Sequence, residues 1–511
     1  MTPFTRRDFL KLSLATSGSL ALSRLMPAIS ATKENQNTSL PGVVILVFDA
    51  MSARNLSLYG YKRPTTPNLE RFAQKATVYN AHYSAGTFTS PGTASLLTGL
   101  YPWTHRAFNE AGLIARNVVE RNIFQLAGEK YHRLAFSQNT WPNYFFGQFR
   151  ESINKILPTG SFSLIDHLVG DKLGKDSLNG QRAFEDFLFQ NDAVPPSLVF
   201  GLAERLIHRY QLNRAHSEGY PNGLPRTGSY PVVFRIEEVI DGLIETIKEF
   251  DTPTMAYFHL YPPHSPYAPT ESFFRSFQGD NFFVDKPDHV LGDHDSVEKL
   301  NNRRRVYDEY IASLDQEFGR LYDFLESSGF LEKNYVVVTS DHGEMFERGV
   351  MGHNSPLLYD AGVQVPLIIS APGQRSRQDV YLPTVSVDIV PTLSHLMSGK
   401  TPDWHEGEVL PLLGGQEKPG RSIFTMYAMK NPAFEPLKKI SLAMRKDQYK
   451  LIYYRAFNDY NREDRFELYD LEGDREELRD LYPDDPAITR SLRDELLGKL
   501  EDVNSLAPYM A

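Results

Sequence analysis

Four short runs of consecutive apolar residues determine the fold class of this chain. The runs are VVILVFDA (43–50), TMAYFHLY (254–261), NYVVVTSD (334–341) and VPLIISA (365–371). Continuous apolar runs rich in β-branched residues are typical of parallel strands that are buried on both faces. Between the second and third runs, residues 303–329 space their apolar side chains at three and four, which predicts a helix ending at Gly329. Strands that alternate with helices predict an α/β domain with a doubly wound, mostly parallel sheet.

Polar residues follow three of these runs, where each strand should end. Asp49 ends the first run, Asp341 and His342 stand at the end of the third, and the second leads through two prolines into His264. Sites in doubly wound sheets form outside the carboxyl ends of the strands, so we expect these side chains to converge on one edge. A lone aspartate at a strand end is often only a turn former. The segment TSDHGE (339–344), however, puts Asp, His and Glu directly after a buried strand, which is costly unless they serve a site.

Composition narrows the chemistry further. The chain has 511 residues, no cysteine and a formal net charge of −10. The lack of cysteine excludes disulfides, thiolate metal sites and a Cys nucleophile. The negative charge argues against nucleic acid as a partner, although a bound metal ion can reverse the field locally and admit an anionic ester substrate.

The N-terminal segment TRRDFLKLSLATSGSLALSRLMPAISA (5–31) predicts an export signal. Its paired Arg6 and Arg7, weakly apolar run and small residues near Ala31 are typical of a bacterial twin-arginine signal over residues 1–31. An amphipathic helix or a membrane anchor is the alternative. Because Arg24 interrupts a short apolar stretch, a stable anchor is disfavoured. We therefore expect an exported protein, periplasmic or extracellular, with no stable membrane anchor after signal removal.

Changes in composition divide the rest of the chain. We predict a catalytic α/β domain over 41–395, within which 141–232 is rich in aromatics, Pro, Gly and Asn. We interpret 141–232 as an insertion or cap near the site, with a purely structural excursion as the equal alternative. From 396 to 511 the segment SLAMRKDQYKLIYY and a final amphipathic pattern predict a smaller C-terminal α+β subdomain.

A series of motifs resembles the sulfatase branch of the alkaline phosphatase superfamily. In chain order they are VVILVFDA, LYGYKRPTTPNLERFA (58–73), TSPGTASLLTG (89–99), YPPHSPYAP (261–269), TSDHGEMFERGVMGHNSPLLYDAGVQVPLII (339–369) and DIVPTL (388–393). The resemblance covers nearly all of the chain after the signal. It implies an alkaline-phosphatase-like fold and identifies TSPGTASLLTG as the nucleophile loop.

The same resemblance implies the ligands of one divalent metal ion and two further catalytic groups. The metal set is Asp49, Thr89, Asp341 and His342, and the catalytic set is Thr89, His264 and His353. Such a set suits Mn or Mg, with Ca or Zn also open. Relatives with two metals carry an Asp four residues before the His, and that position is Leu260 here, which favours a single ion. His259 is interpreted as a candidate core histidine outside the site.

Departures from the family pattern bear on the reaction. Sulfatases need a Cys or Ser that is oxidised to formylglycine, but that position is Thr89, whose secondary alcohol could give at best a ketone. The loop's usual Arg is Thr93, and the second Asp of the metal pair is Ala50. Gln138 and Asn139 stand where the family carries a motif with Lys and His. The sulfatase site has thus lost members while the metal ligands remain.

Threonine nucleophiles occur in relatives that transfer phosphoryl groups, such as lipoteichoic acid synthases, phosphoethanolamine transferases and nucleotide phosphodiesterases. A bound metal can activate the hydroxyl of Thr89, as it lowers the pKa of bound water to about 7. The resemblance therefore implies a hydrolase or transferase of phosphate esters, phosphodiesters above all, with a covalent intermediate on Thr89. The alternatives are a sulfuric ester hydrolase that uses the unmodified threonine and a catalytically silent binding protein.

Overall fold

The structure is a computed structural model that describes residues 40–162, 219–228, 232–457, 464–484 and 486–506. The predicted export signal and most of the predicted insertion lie outside the described residues. No helix in the described ranges has both the length and the apolar character needed to cross a bilayer.

An eight-stranded sheet forms the centre of the molecule. In spatial order its strands are β11 (Gln378–Val380), β2 (Thr77–Tyr79), β10 (Leu367–Ser370), β7 (Tyr335–Thr339), β1 (Val43–Phe48), β6 (Thr254–Leu260), β4 (His132–Ser137) and β5 (Lys155–Ile156). β1 lies between β6 and β7 and is parallel to both, with Val43 opposite Met255 and Tyr335. All residues of β1 and β6 are buried, as expected for parallel strands covered on both faces. The predicted mostly parallel sheet is confirmed.

The direction of β10 was predicted wrongly. The run VPLIISA was expected to be another parallel strand, but β10 is antiparallel to both β7 and β2, with Leu367 opposite Thr339. Adjacent parallel strands need a long crossover, usually a helix. The segment between β7 and β10 is long enough for a crossover, but it forms the hairpin of β8 (Met345–Glu347) with β9 (Val350–Gly352) and a four-residue helix instead of a crossover helix. The chain then returns in the opposite direction.

Helices cover both faces of the sheet. In chain order they are α1 (Pro67–Ala73), α2 (Thr89–Thr98), α3 (Pro102–His105), α4 (Ile123–Ala127), α5 (Thr140–Gln148), α6 (Ile236–Lys248), α7 (Val297–Ser327), α8 (Asp360–Val363), α9 (Ile389–Ser398) and α10 (Pro486–Leu506). Single 3₁₀ turns occur at Ala53–Asn55, Ser57–Tyr59, Arg116–Val118, Gly128–Lys130, Arg150–Ser152, Phe330–Glu332 and Ser386–Asp388. Alternate residues of β1 pack into two different cores. Val44 and Leu46 share one with α1, α6 and α7, whereas Ile45 shares the other with α2, α4, α5 and α9.

The first described part of the predicted insertion belongs to the main core. Helix α5 packs on α2 and β4. Phe145 and Phe146 on this helix are buried, and the Phe146 ring lies edge-on to Tyr257 of β6. This packing positions Asn139, the residue before α5, at the carboxyl edge of the sheet.

A smaller antiparallel sheet follows in the C-terminal region. Its strands, in order, are β13 (Ser422–Tyr427), β14 (Ile440–Lys446), β15 (Tyr449–Arg455) and β16 (Arg465–Asp470), and α10 shares their apolar core. Thr425 Oγ1 donates to the carbonyl of Ser84 at 2.6 Å. A short pair of β3 (His82–Tyr83) with β12 (Thr384–Val385) lies alongside. The C-terminal sheet thus packs against the segment that leads into α2.

Candidate active site

The carboxyl ends of three neighbouring strands bring the predicted acidic and histidine residues together. Asp49 follows β1, and Asp341 and His342 follow β7; all three side chains are fully buried. His342 Nε2 lies 3.4 Å from Asp49 Oδ1 and 3.6 Å from Asp341 Oδ2. The parallel pairing of β1 with β7 produces this convergence, because it puts both strand ends at one edge of the sheet.

Thr89 enters this group as the first residue of α2. Its Oγ1 lies 3.3 Å from His342 Nε2, and its side chain is 3% exposed. Gly92, one turn further along the helix, permits this approach: a Cβ there would lie 2.1 Å from the carbonyl oxygen of Asp341. The helix can therefore contact the backbone of Asp341 only with glycine at that position, and this contact holds Thr89 beside the carboxylates.

The two carboxylates form a site that a divalent cation would suit. Asp49, His259 and Asp341 each offer a ligand atom within 4.8 Å of the others, all fully buried. Among the residues that the structure describes, Asp49 Oδ1 has no hydrogen-bond partner. Within the described residues, the ion pairs of both carboxylates are with histidines only. Buried carboxylates are stable when paired or coordinated, so these oxygen and nitrogen donors fit a bound metal ion.

The electrostatics of the protein's own groups reflect the same need for positive charge. Burial alone would raise the pKa of Asp49, but His264, His259 and His342 hold it well below its usual range. Burial would lower the pKa of His342, yet the carboxylates of Asp341 and Asp49 raise it to about 9. Protonated His342 thus supplies part of the charge that balances the two aspartates.

His259 faces this group, although sequence reasoning did not assign it to the site. Its Nε2 lies 3.2 Å from Asp49 Oδ2 and 3.8 Å from Asp341 Oδ2, while Nδ1 lies 3.3 Å from the hydroxyl of Tyr257. The interpretation as a core histidine captured its burial but not its contacts. Its position one residue before the end of β6 was the available signal, because β6 is the neighbour of β1.

Asn139 is a second contact that sequence reasoning did not assign. Its Nδ2 donates to Asp49 Oδ2 at 2.5 Å and lies 3.4 Å from Thr89 Oγ1, while its Oδ1 caps α5 by accepting from the Trp141 N–H. Gln138, by contrast, accepts from the Tyr261 N–H and so serves the backbone. Asn139 therefore orients both a ligand and the nucleophile candidate.

Two other departures from the family pattern remain in contact with Asp341. Thr93 Oγ1 donates to Asp341 Oδ2 at 3.4 Å. Ala50 adopts a left-handed conformation with φ of 61°, and its N–H donates to Asp341 Oδ1 at 3.3 Å. Neutral donors therefore occupy positions where the family carries an arginine and a second carboxylate, and the charge of Asp341 is left uncompensated by them.

His264 and His353 stand next to each other beside the ligands. Their ring centroids are 4.7 Å apart, and the His353 ring lies 4.4 Å from that of His342. His264 Nδ1 donates to the Ser265 carbonyl at 2.6 Å, and His353 Nδ1 lies 3.0 Å from Glu344 Oε1. In both rings the Nδ1 atom is engaged, which leaves Nε2 for a substrate. Burial lowers the pKa of His264, so this ring is neutral near pH 7.

A cavity of about 200 Å³ opens onto these groups. Its lining comprises Phe88, Thr89, Glu110, Asn139, Thr140, Trp141, Thr227, Gly228, Tyr261, His264, His353 and Asn354. All three predicted catalytic residues thus line one cavity, with Asp49, Asp341 and His342 buried behind Thr89. The arrangement suits attack by a hydroxyl on an anionic ester, with two histidines in the same cavity.

Known proteins with similar sequences were found along nearly all of the described chain. The family model described as sulfatase matches residues 41–400, and that of the C-terminal region of N-sulphoglucosamine sulphohydrolase matches 351–505. The ulvan-active sulfatase of Formosa agariphila is 23% identical over 390 residues, which are 75% of this chain and 66% of that protein. The N-acetylgalactosamine-6-O-sulfatase of Bacteroides thetaiotaomicron is 22% identical over 548 residues, covering 93% and 98%.

Among solved structures, the phosphonate monoester hydrolase of Agrobacterium radiobacter is similar in fold. The TM-score is 0.65 at 18% identity, and the match covers 91% of this chain and 96% of that one. At such an identity the likeness shows the fold alone. Proteins named for sulfate esters and for phosphonate esters thus share this architecture, so the architecture does not choose between the two substrates.

Proposed function

Since this chain belongs to the sulfatase family and is a hydrolase of the alkaline phosphatase-like superfamily, we propose that it acts on phosphate esters, phosphodiesters above all, through a covalent intermediate on Thr89. The observation that supports this is the position of Thr89 Oγ1, 3.3 Å from His342 Nε2 and in the wall of the cavity. A threonine cannot become the aldehyde hydrate on which sulfatases depend. An unmodified hydroxyl beside metal ligands suits phosphoryl transfer.

The proposed metal ligands are Asp49, Thr89, Asp341 and His342, and His259 is added to them because of its contacts with both carboxylates. We propose one ion, Mn or Mg before Ca or Zn, since aspartate and imidazole donors suit these metals. When bound, the cation would release the proton of Thr89 to solvent and offset charge on the phosphoryl oxygens.

The chain's own groups then account for the two steps of the reaction, which are the formation and the breakdown of the intermediate on Thr89. A bond forms from Thr89 Oγ1 to phosphorus, and the bond from phosphorus to the leaving alcohol breaks. His353, oriented by Glu344, donates its Nε2 proton to the leaving oxygen. In the second step neutral His264 accepts a proton from a water or an acceptor alcohol, which attacks phosphorus and frees Thr89. The proton that His264 gains equals the one that His353 loses, so exchange with solvent restores the site.

Matched substrates test this proposal. We would measure the turnover of three nitrophenyl esters by the purified protein with added Mn²⁺. The three esters are a phosphodiester, a phosphate monoester and a sulfate. We expect the diester to be cleaved fastest and Thr89→Ala to lower kcat at least about 10³-fold. Thr98→Ala is the matched control, because this hydroxyl of the same helix donates to the Ala94 carbonyl and does not line the cavity. Mass spectrometry of the acid-quenched peptide 87–99 should find one adduct on Thr89: a bare phosphoryl group from the monoester, and a phosphoryl group that still carries the second alcohol from the diester.

The other outcomes each overturn part of the proposal. Full turnover by Thr89→Ala would exclude the covalent intermediate. Sulfate turnover that exceeds phosphate turnover would establish a sulfatase with an unmodified threonine, the reading that the sulfatase relatives favour. A protein that binds no divalent cation and cleaves none of the three would be a silent binding protein.

Export is proposed from residues 1–31 alone. The paired Arg6 and Arg7 predict the twin-arginine route, which carries folded proteins and so suits an enzyme loaded with metal before export. A precursor with both arginines changed to lysine should stay in the cell. Unchanged export of that precursor would exclude the route.

A further inference from the structure

Two aromatic rings and one carboxylate share the wall of the cavity that contains Thr89. They belong to Phe88, Trp141 and Glu110. Each is fixed to the site through the backbone or a direct neighbour: Phe88 precedes Thr89, and the Trp141 N–H donates to Asn139 Oδ1 at 3.1 Å. The carbonyl of Glu110 accepts from the hydroxyl of Ser90. Their backbone positions relative to the proposed nucleophile are therefore set by the fold.

The two rings are supported by further aromatic contacts. Tyr144 stacks on Trp141 with centroids 5.9 Å apart at 28°, and Phe88 meets Tyr427 edge-on at 6.3 Å. Aromatic faces attract cations, and tryptophan does so most strongly. A supported pair of rings is thus a ready-made contact for a positively charged group in the cavity.

The charge of the cavity lining also favours a positively charged group. The side chain of Glu110 is exposed, and no ion pair to it occurs among the described residues. Within those same ranges, the lining includes no lysine or arginine. A carboxylate beside the anionic ester would repel a second anionic group, such as another phosphate or a sulfated sugar, but would attract an ammonium group.

We propose that the physiological ester has a leaving alcohol that carries an ammonium group. The phosphoryl group meets Thr89, and the ammonium group lies among Trp141, Phe88 and Glu110. This inference rests on the proposed function for the chemistry at Thr89. A cavity of about 200 Å³ is smaller than the roughly 300–1,000 Å³ of ordinary ligand pockets, which favours a small amino alcohol over a long sugar chain.

A pair of substrates of equal shape tests the role of the charge. One is the methyl phosphodiester of choline, and the other is methyl 3,3-dimethylbutyl phosphate, in which a neutral tert-butyl group replaces trimethylammonium. With Mn²⁺ present, we expect kcat/KM for release of choline to exceed that for release of dimethylbutanol at least about 10-fold. Equal values for the two esters would overturn the inference. Phosphatidylcholine vesicles form a third arm, and release of choline from vesicles alone would identify a lipid headgroup as the source.

Variants assign the preference to these residues. Glu110→Gln and Trp141→Leu should each reduce several-fold the ratio of kcat/KM for the choline ester to kcat/KM for the neutral ester. Glu120→Gln is the matched control, because Glu120 is an exposed carboxylate that does not line the cavity. A preference that survives both cavity variants would overturn the assignment.

Binding separates failure of this inference from failure of the proposed activity. If neither ester is cleaved, the proposed activity is wrong, and calorimetry with phosphocholine and 3,3-dimethylbutyl phosphate decides the remaining point. Tighter binding of phosphocholine, at least about 10-fold and lost in Glu110→Gln, would support the ammonium site. Equal affinities would overturn it.

Discussion

Two buried groups of charged residues in this molecule are balanced in different ways. Where the C-terminal sheet meets the main domain, Lys450 Nζ lies 2.7 Å from both Asp360 Oδ1 and Glu477 Oε1. We call these three residues the junction cluster. At the edge of the main sheet, Asp49 and Asp341 face only histidines among the described ion pairs, and Asp49 Oδ1 accepts no hydrogen bond.

In the junction cluster, folding itself brings the positive charge that neutralises the buried carboxylates. In the site, part of that positive charge has to come from a bound ligand. The junction cluster brings its own ammonium group, and Glu477 also accepts the Asp360 N–H at 2.8 Å. It links α8 to β15 without outside help. The two site aspartates lack such a partner, so their charge is balanced either by protonated histidine or by a bound cation. Burial alone would not distinguish the two groups, since all of these carboxylates are buried.

The largest expected effect comes from removing a site charge. Asp49→Asn should lower kcat at least about 10³-fold, since a metal ligand is lost. In the wild type, Mn²⁺ at 100 times its Kd should raise the free energy of unfolding by about 2.7 kcal/mol. Thermal unfolding with and without Mn²⁺ measures this increase, which should vanish in Asp49→Asn. A variant that Mn²⁺ still stabilises would contradict the assignment of Asp49 as a ligand.

A change in the junction cluster should act on stability instead. Lys450→Met leaves two buried carboxylates without their ammonium group and should lower the free energy of unfolding by about 3–5 kcal/mol. Urea titration measures the loss, and kcat per folded molecule should stay within about two-fold. Adding Asp360→Asn and Glu477→Gln should recover part of the stability, because the unpaired charge is then gone. An unchanged urea midpoint in Lys450→Met would show that the comparison between the clusters is wrong.

The smallest effect concerns pH in the metal-free protein. The pKa of His342 is about 9 in the folded chain, against an ordinary value of 6.5 for an exposed histidine. The folded state therefore binds more protons between these values, and the stability due to His342 is complete below pH 6.5 and is lost as pH rises through 9. With EDTA present, the free energy of unfolding should fall by up to about 1.4 kcal/mol per pH unit across this window.

Two controls sharpen that measurement. His342→Gln should lack the decline, and saturating Mn²⁺ should abolish it in the wild type because a ligating imidazole is already neutral. A decline of equal size in His342→Gln would assign the effect to other groups.

Sequence patterns located much of the site because its residues stand at strand ends. Asp49 and Asp341 each end an apolar run, and parallel neighbours bring such ends together. Thr89 came from its register in the resemblance, and its contact with His342 is a matter of tertiary structure. These predictions needed only the order of residues along single strands and loops.

The remaining features depend on which strands are neighbours. A strand buried on both faces has the same apolar composition whether it runs parallel or antiparallel to its neighbours. The antiparallel direction of β10 could therefore not be predicted from the run VPLIISA. His259 resembles a core histidine until β6 is known to lie beside β1. Lys450 and Asp360 are 90 positions apart in the sequence, so a local sequence pattern cannot predict their ion pair. Long-range pairing thus decides what single-strand patterns leave open.

The contact between Gly92 and the Asp341 carbonyl has a consequence for redesign of this enzyme. A displacement of about 1 Å in a reacting group can cost about 10²-fold in rate. A side chain at position 92 would meet that carbonyl at 2.1 Å and push the helix away. Libraries that vary the chemistry of the loop can therefore exchange the functional group at position 89, while position 92 sets the spacing between Thr89 and Asp341 and has to stay constant.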